Sequence, residues 1–300
     1  MKVGVVVPLF SGDPAKVLRA AREAEELGFD GAFAFDHFFP PGGPRDGAAL
    51  EAFTTLAAMA AVTERIRLGT LVTRASIRPT GLLAKTAAWL DAASGGRLIL
   101  GIGTGDPIDR PEHEAYGLPL LGKADRRAHL QETLVALRAL FRGETFPGGS
   151  WVPPLRGPLR PPPTQDGGPP VWVGGQADEV VRIAARLADR WNGWGLDPEA
   201  FSAKARTLHE SAAEAGRTAE PTWAGIVLVG EDRAEADRLL ADRRGRGLDD
   251  PSWTGTADDL ATFLAELGVA GATWAAMVPA GPPDRRRLIG ERVLATVRAL

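Results

Sequence analysis

Three short stretches of this 300-residue chain gather the side chains able to do chemistry. FAFDHFF (33–39) ends an apolar run in the pair Asp36-His37. GIGTGDP (101–107) spaces glycines, Gly103 among them, ahead of Asp106, with Asp109 close behind. VGGQADE (173–179) sets Gly174, Gly175 and Gln176 before a segment of helical period. An imidazole takes and returns a proton near neutrality. Glycines admit a flat or phosphorylated ligand against bare backbone. A glycine pair leading into a helix presents free N–H groups and a positive dipole end, which suits phosphate or carboxylate. Each stretch also has a plainer reading: a histidine bonded to backbone with Asp36 capping its loop, a tight turn at 101–107, and a strand-to-helix turn at 174–175.

What the chain lacks narrows the chemistry. It has no cysteine, hence no disulfide, thiol nucleophile or thiolate metal site. Of the histidines at 37, 113, 129 and 209, only His37 falls at a predicted strand end, so no metal is expected. Glu112, His113 and Glu114 look like a ligand cluster, but they fall on a predicted surface helix whose charged face is solvated. Neither a G-x-S-x-G elbow nor a G-x-x-x-x-G-K-[ST] loop occurs. The lysines at 2, 16, 85, 123 and 204 avoid the C-terminal halves of predicted strands, which argues against a Schiff base. A glycine-lined, mostly apolar site with one imidazole suits a cofactor that brings its own chemistry.

The elements that position these residues follow from hydrophobic period. Strands are predicted at 3–8, 31–35, 66–73, 97–103, 171–175, 190–195, 223–230 and 271–278. Helices are predicted at 14–27, 50–63, 80–93, 124–142, 177–189, 198–215, 232–243, 256–267 and 284–299. This alternation predicts an α/β fold, a (β/α)8 barrel spanning residues 1–300 as one domain. An open doubly wound sheet is the alternative, but no glycine fingerprint follows the first strand. Residues 143–170 are crowded with proline and glycine and read as an inserted loop, a functional excursion or lid at the pocket mouth. In such a barrel the C-terminal strand ends converge on one pocket, and every stretch named above lies there. Trp191 and Trp194 are placed to wall it, while Trp89, Trp223 and Trp274 are expected to pack between helices and barrel.

Five motifs in order, FDHFFP, RLGTLVT, RLILGIGTG with PEHEAYG, PPVWVGG and ADRWNGWG, resemble the luciferase-like monooxygenases, a flavin- and deazaflavin-dependent superfamily with a (β/α)8 barrel. The likeness covers most of residues 1–195 and, more loosely, 256–272. It implies coenzyme F420 or, as the alternative, FMN. In F420-dependent members an Asp-His pair after the second strand lies beside the ring, here Asp36 and His37. His37 would stabilise charge on the reduced ring or pass a proton, and Asp36 would orient the imidazole or accept from a cofactor hydroxyl. A bulge with a non-proline cis peptide backs the ring, with Leu71-Val72 as the nearest equivalent and Thr73 beside it. Asp106 is carried over as a catalytic acid and Asp109 as a cofactor contact, although the family's usual pair is a longer acid and an amide. Gly174 and Gly175 would hold the cofactor's phosphate, and Arg74, Arg78 and Arg160 would face the carboxylates of the F420 tail.

The implied activity is F420-dependent hydride transfer to or from a small organic substrate. The alternatives are an FMN monooxygenase served by a flavin reductase, and a barrel without catalysis acting as a partner subunit. A homodimer is the expected assembly. The net charge of −3 gives no reason to expect nucleic acid or a charged membrane surface. No run approaches the roughly 18 apolar residues of a membrane helix, and MKVGVVVPLFSGDP reads as a first strand rather than a signal peptide. A cytoplasmic enzyme is the expectation.

Overall fold

A computed structural model describes residues 1–41 and 46–299. Gly42 and Gly43, which follow the FAFDHFF stretch in the PPGG sequence, lie outside them. The strands are β1 (Lys2–Val6), β2 (Gly31–Ala34), β3 (Arg67–Thr70), β4 (Thr73–Arg74), β5 (Leu98–Gly103), β6 (Val171–Gly174), β7 (Arg190–Trp194), β8 (Glu220–Gly230), β9 (Trp253–Thr256) and β10 (Trp274–Ala280). Pairing is parallel throughout, and β10 bonds to both β1 and β8, which closes the ring. With β4 continuing β3 and β9 flanking β8, the eight predicted strands form the predicted barrel. The helices predicted at 80–93 and 124–142 are Thr80–Ala93 and Lys123–Phe141, and the others fall close to their predicted bounds except the terminal one, which is two helices, Arg285–Arg292 and Leu294–Ala299. Strand β9 is too short and polar, WTGT, to announce itself by period.

The strands read as continuous apolar runs because they are covered on both faces. Outward-facing residues meet the helices. Inward-facing ones form a separate cluster that includes Val6, Phe33, Ile99, Trp172 and Trp274. Phe33 lies 5.4 Å from Trp172 and 6.1 Å from Trp274, centroid to centroid, and fills the lower barrel. Gly4, Gly31 and Gly69 make room for it, since a Cβ on any of them would come within 2.9 Å of its ring. Lys2 over the Trp274 ring and Arg190 over that of Trp172 cover the bottom. Trp274 is therefore inside the barrel rather than between helices and barrel. Trp223 does pack outward, edge-on against Phe263, whereas Trp89 is 51% exposed on its helix.

Register shows how the upper barrel is shaped. Leu68 pairs with Leu98, an offset of 30, but Thr73 pairs with Ile102, an offset of 29. One extra residue is thus accommodated at Leu71-Val72, where the peptide bond is cis. Such a bulge re-aims the side chains that follow it. Val72 is pushed into the barrel so far that a Cβ on Gly103 or Gly174 would approach its methyls to 2.9 or 3.0 Å.

The 143–170 loop is ordered but is not a lid. It joins a helix to a strand, so it leaves and returns at the end of the barrel opposite the pocket. Glu132 accepts the backbone N–H groups of Ser150, Trp151 and Val152, and Asp91 accepts those of Thr164 and Gln165. Phe146 and Val152 bury themselves against Ala136 on the outside of the helix layer. None of the loop's residues lines the cavity described next.

Candidate active site

A cavity of about 690 Å³ opens at the C-terminal ends of the strands. Its apolar floor includes Phe35, Leu71, Val72 and Trp194, the side chains stacked above the filled lower barrel. Asp36, His37, Gly103, Asp106, Asp109, Gly174, Gly175 and Gln176 also line it, as the sequence leads one to expect. Thr73 does not. It is fully buried and its hydroxyl accepts from Arg78 at 3.1 Å, because strand alternation turns it away from the barrel axis. The same alternation splits the tryptophans of β7. Trp194 lines the cavity, whereas Trp191 faces the helices and stacks on Phe201. Trp191 still serves the site, since its Nε1 donates to the Gly175 carbonyl at 2.7 Å and steadies the glycine turn.

His37 sits at the end of β2 beside the stacked pair Phe10 and Phe35, with centroids 6.4 and 6.3 Å away. Asp36 does not orient it. The Asp36 carboxylate is buried and taken by Arg78, which reaches Oδ1 at 3.0 Å and also contacts Oδ2. Arg78 bonds Glu51 as well, at 2.6 Å. The imidazole's partner is Glu112, whose Oε1 lies 2.8 Å from Nδ1. Arg74 donates to Glu112 Oε2 at 2.5 Å and to the Asp36 carbonyl at 3.2 Å. Burial alone would push the Glu112 carboxyl up, but the hydrogen bond and charge of His37, with those of Arg74, hold it below the ordinary carboxylate range.

This corrects the sequence reading of residues 110–117. The helix Arg110–Ala115 leaves Glu114 exposed but buries Glu112 and His113. It follows directly on the turn Pro107–Asp109, which folds it back over the strand ends. Asp109 and Glu112, three residues apart, then face the same way. That spacing just after a barrel strand is the signal that points to Glu112. Asp106 is exposed at the mouth and caps the turn, while its own N–H bonds Asp109 Oδ2 at 2.6 Å. His37, Asp109 and Glu112 bring ligand atoms within 4.8 Å of one another, the spacing of a metal site. Arg74 already supplies the compensating positive charge, with its Nη1 3.7 Å from Asp109 and its Nη2 on Glu112. The group is an ion cluster held by Arg74, whose buried Nε and Nη1 have no hydrogen bond.

The opposite wall is cationic. Lys123, Arg126 and Arg127, on the first turn of Lys123–Phe141, line the cavity together with the Gly174-Gly175 turn that leads into the helix Asp178–Leu187. Arg127 pairs with Glu179 at 3.1 Å. Among the described residues Lys123 and Arg126 make no direct ion pair, although Lys123, after the Glu179 backbone N–H and Arg127, helps hold the Glu179 carboxyl down, and the buried Nε of Arg126 has no hydrogen bond. The arginines expected at the rim are otherwise engaged. Arg74 and Arg78 belong to the ion clusters around His37 and Asp36, and Arg160 lies in the outer loop, its carbonyl bonded to Lys85.

The family model for luciferase-like monooxygenases matches residues 1–285. The chain is 30% identical over 210 residues to the F420-dependent glucose-6-phosphate dehydrogenase of Microbacterium testaceum, covering 68% of this chain and 60% of that one. It is 28% identical over 269 residues to the phthiodiolone/phenolphthiodiolone dimycocerosates ketoreductase of Mycobacterium tuberculosis, covering 87% of this chain and 62% of the other. An uncharacterized protein of Mycobacterium tuberculosis is 37% identical over 174 residues, 56% of each chain. The chain thus spans less than two thirds of the length of these relatives. Among solved structures, an F420-dependent secondary alcohol dehydrogenase bound to an F420-acetone adduct superimposes with a TM-score of 0.85 at 19% identity, covering 99% of both chains. The F420-dependent tetrahydromethanopterin reductase of Methanopyrus kandleri gives 0.79 at 21% identity, covering 98% of this chain and 99% of that one. Likenesses at this identity speak to the fold.

Proposed function

The chain belongs to the luciferase-like monooxygenase family, and we propose that it is an F420-dependent oxidoreductase interconverting a small alcohol and its carbonyl compound. The observation that carries the choice of cofactor is the cationic wall. Lys123 and Arg126, which make no direct ion pair among the described residues, face the cavity beside the glycine turn. FMN ends in one phosphate, whereas F420 continues from its phosphate into a lactyl-oligoglutamate tail with several carboxylates. A surplus of cations at that place favours the longer polyanion. The substrate class is suggested by the activities of the relatives, a sugar-phosphate dehydrogenase and a ketoreductase.

The residues fit the group. Phe35, Leu71, Val72 and Trp194 offer an apolar face to a tricyclic ring, Gly174 and Gly175 a bare turn to its phosphate, and Lys123, Arg126 and Arg127 charge to its tail. When bound, F420 supplies the hydride donor or acceptor. His37 provides proton transfer, as the only histidine among the described residues lining the cavity. Asp36 holds Arg78 and thereby fixes the end of β2 that carries His37. Apolar walls exclude water from the proton being moved.

The test is a pair of fluorescence titrations of the purified protein, one with F420 and one with FMN. Micromolar or tighter binding of F420 is expected. Tight FMN binding without F420 binding would overturn the choice and make the protein a candidate oxygen-using monooxygenase.

A further inference from the structure

Glu112 is 2% exposed. A carboxylate taken that far out of water is costly unless its oxygens are answered, and both are. Oε1 meets His37 Nδ1 at 2.8 Å, and Oε2 meets Arg74 Nη2 at 2.5 Å. The same Arg74 nitrogen reaches back to the carbonyl of Asp36, the residue before His37. Glu112 therefore ties the ends of β2 and β4 together from a third element, the helix Arg110–Ala115.

We propose that Glu112 is a positioning residue that fixes the tautomer of His37, keeping the hydrogen on Nδ1 and presenting Nε2 to the substrate. This rests on the reading of His37 as the proton-transfer group. A neutral imidazole carries one donor and one acceptor nitrogen. An ionised carboxylate only accepts, so the nitrogen facing Glu112 must be the donor. Against the cost of burial, Glu112 stays ionised because the hydrogen bond with His37 and the Arg74 guanidinium both favour its charged form. The charged groups facing the imidazole are Glu112 at 2.8 Å and Asp109 at 3.7 Å, both from the segment after β5. The guanidinium of Arg74 lies behind both carboxylates. The carboxylate of Asp36 is turned to Arg78, and no hydrogen bond to Nε2 is found among the described residues. An alcohol that gives up a hydride must also lose its hydroxyl proton. In that step the substrate O–H bond breaks as a bond to Nε2 forms, and carbonyl reduction returns the same proton.

Glutamine at 112 makes the idea testable, because it keeps the volume while adding a donor. The Arg74 guanidinium accepts nothing, so the amide oxygen must turn toward it, leaving the amide NH2 against Nδ1. His37 would then carry its hydrogen on Nε2, where it cannot take a proton. The experiment is nitrogen-15 NMR of histidine-labelled protein at neutral pH, with His37 assigned by its loss in His37→Ala. Wild type should show hydrogen on Nδ1 alone and Glu112→Gln hydrogen on Nε2 alone. The variant's turnover should fall about 100-fold or more, in line with wrong-tautomer losses elsewhere, and its cofactor dissociation constant should change less than about threefold. Hydrogen on Nε2 in the wild type, or an unchanged tautomer and turnover in folded Glu112→Gln, would overturn the inference. The NMR needs no cofactor, so a failure to bind F420 would sink the proposed function without touching this result.

Discussion

Replacing Lys123 and Arg126 together by glutamine should weaken F420 far more than FMN. In water, a cation about 7 Å from one tail charge contributes about 0.6 kcal/mol, and screening at physiological salt reduces that by roughly half. Two or three tail charges facing two cations then give about 1–2 kcal/mol, a loss of roughly 5- to 30-fold in affinity. Arg126 lies toward the upper end, because its Nε is buried and the local dielectric is lower. Arg127 is left in place, since its pairing with Glu179 already uses its charge. FMN, with its single phosphate at the glycine turn, should lose about twofold or less. The assay is a fluorescence titration of wild type and variant with each cofactor at low salt and at about 0.5 M, where the Debye length is about 4 Å and the F420 difference should shrink to about twofold. Equal losses for both cofactors, or an F420 loss indifferent to salt, would refute the assignment of these residues to the tail.

Other outcomes follow from the same geometry. His37→Ala should cut turnover about ten- to a thousandfold with a smaller change in cofactor affinity, measured by steady-state kinetics and titration. Gly175→Val should weaken the cofactor and cost about 1–3 kcal/mol in a denaturant melt, because φ there is +146° and a Cβ would stand 2.9 Å from Val180. Glu132→Ala should free the Ser150–Val152 backbone, seen as faster proteolysis at 148–152, with turnover and cofactor affinity unchanged because that loop avoids the cavity. Glu51 and Glu112 titrate below their ordinary value in the folded chain, so their stabilisation is complete above about pH 4.5 and is lost as the pH falls through their lowered values. Thermal melts should therefore drop on acidification, and less steeply in Glu112→Gln.

The barrel and most of its pocket are legible in the sequence because strand ends at one face must converge, whatever the side chains are. That rule finds His37, Val72 and Gly174 without any contact being known. It misses Glu112, since a short charged helix looks solvated until the turn at Pro107–Asp109 folds it over the strands. It also misplaces Thr73 and Trp191, whose orientation depends on alternation counted through a bulge. The loop at 143–170 was expected beside the pocket from its composition alone. Its position between a helix and a strand already assigns it to the far end.

The Phe33, Trp172 and Trp274 plug has a kinetic corollary. Packed rings close the barrel from beneath, so a ligand reaching Val72 enters and leaves by the one mouth above it. A cofactor resting on Val72 would be trapped for as long as a substrate stood over it. If the proposed cofactor rests there, occupancy would be ordered, cofactor first in and last out, and high substrate concentrations should slow cofactor exchange and depress turnover.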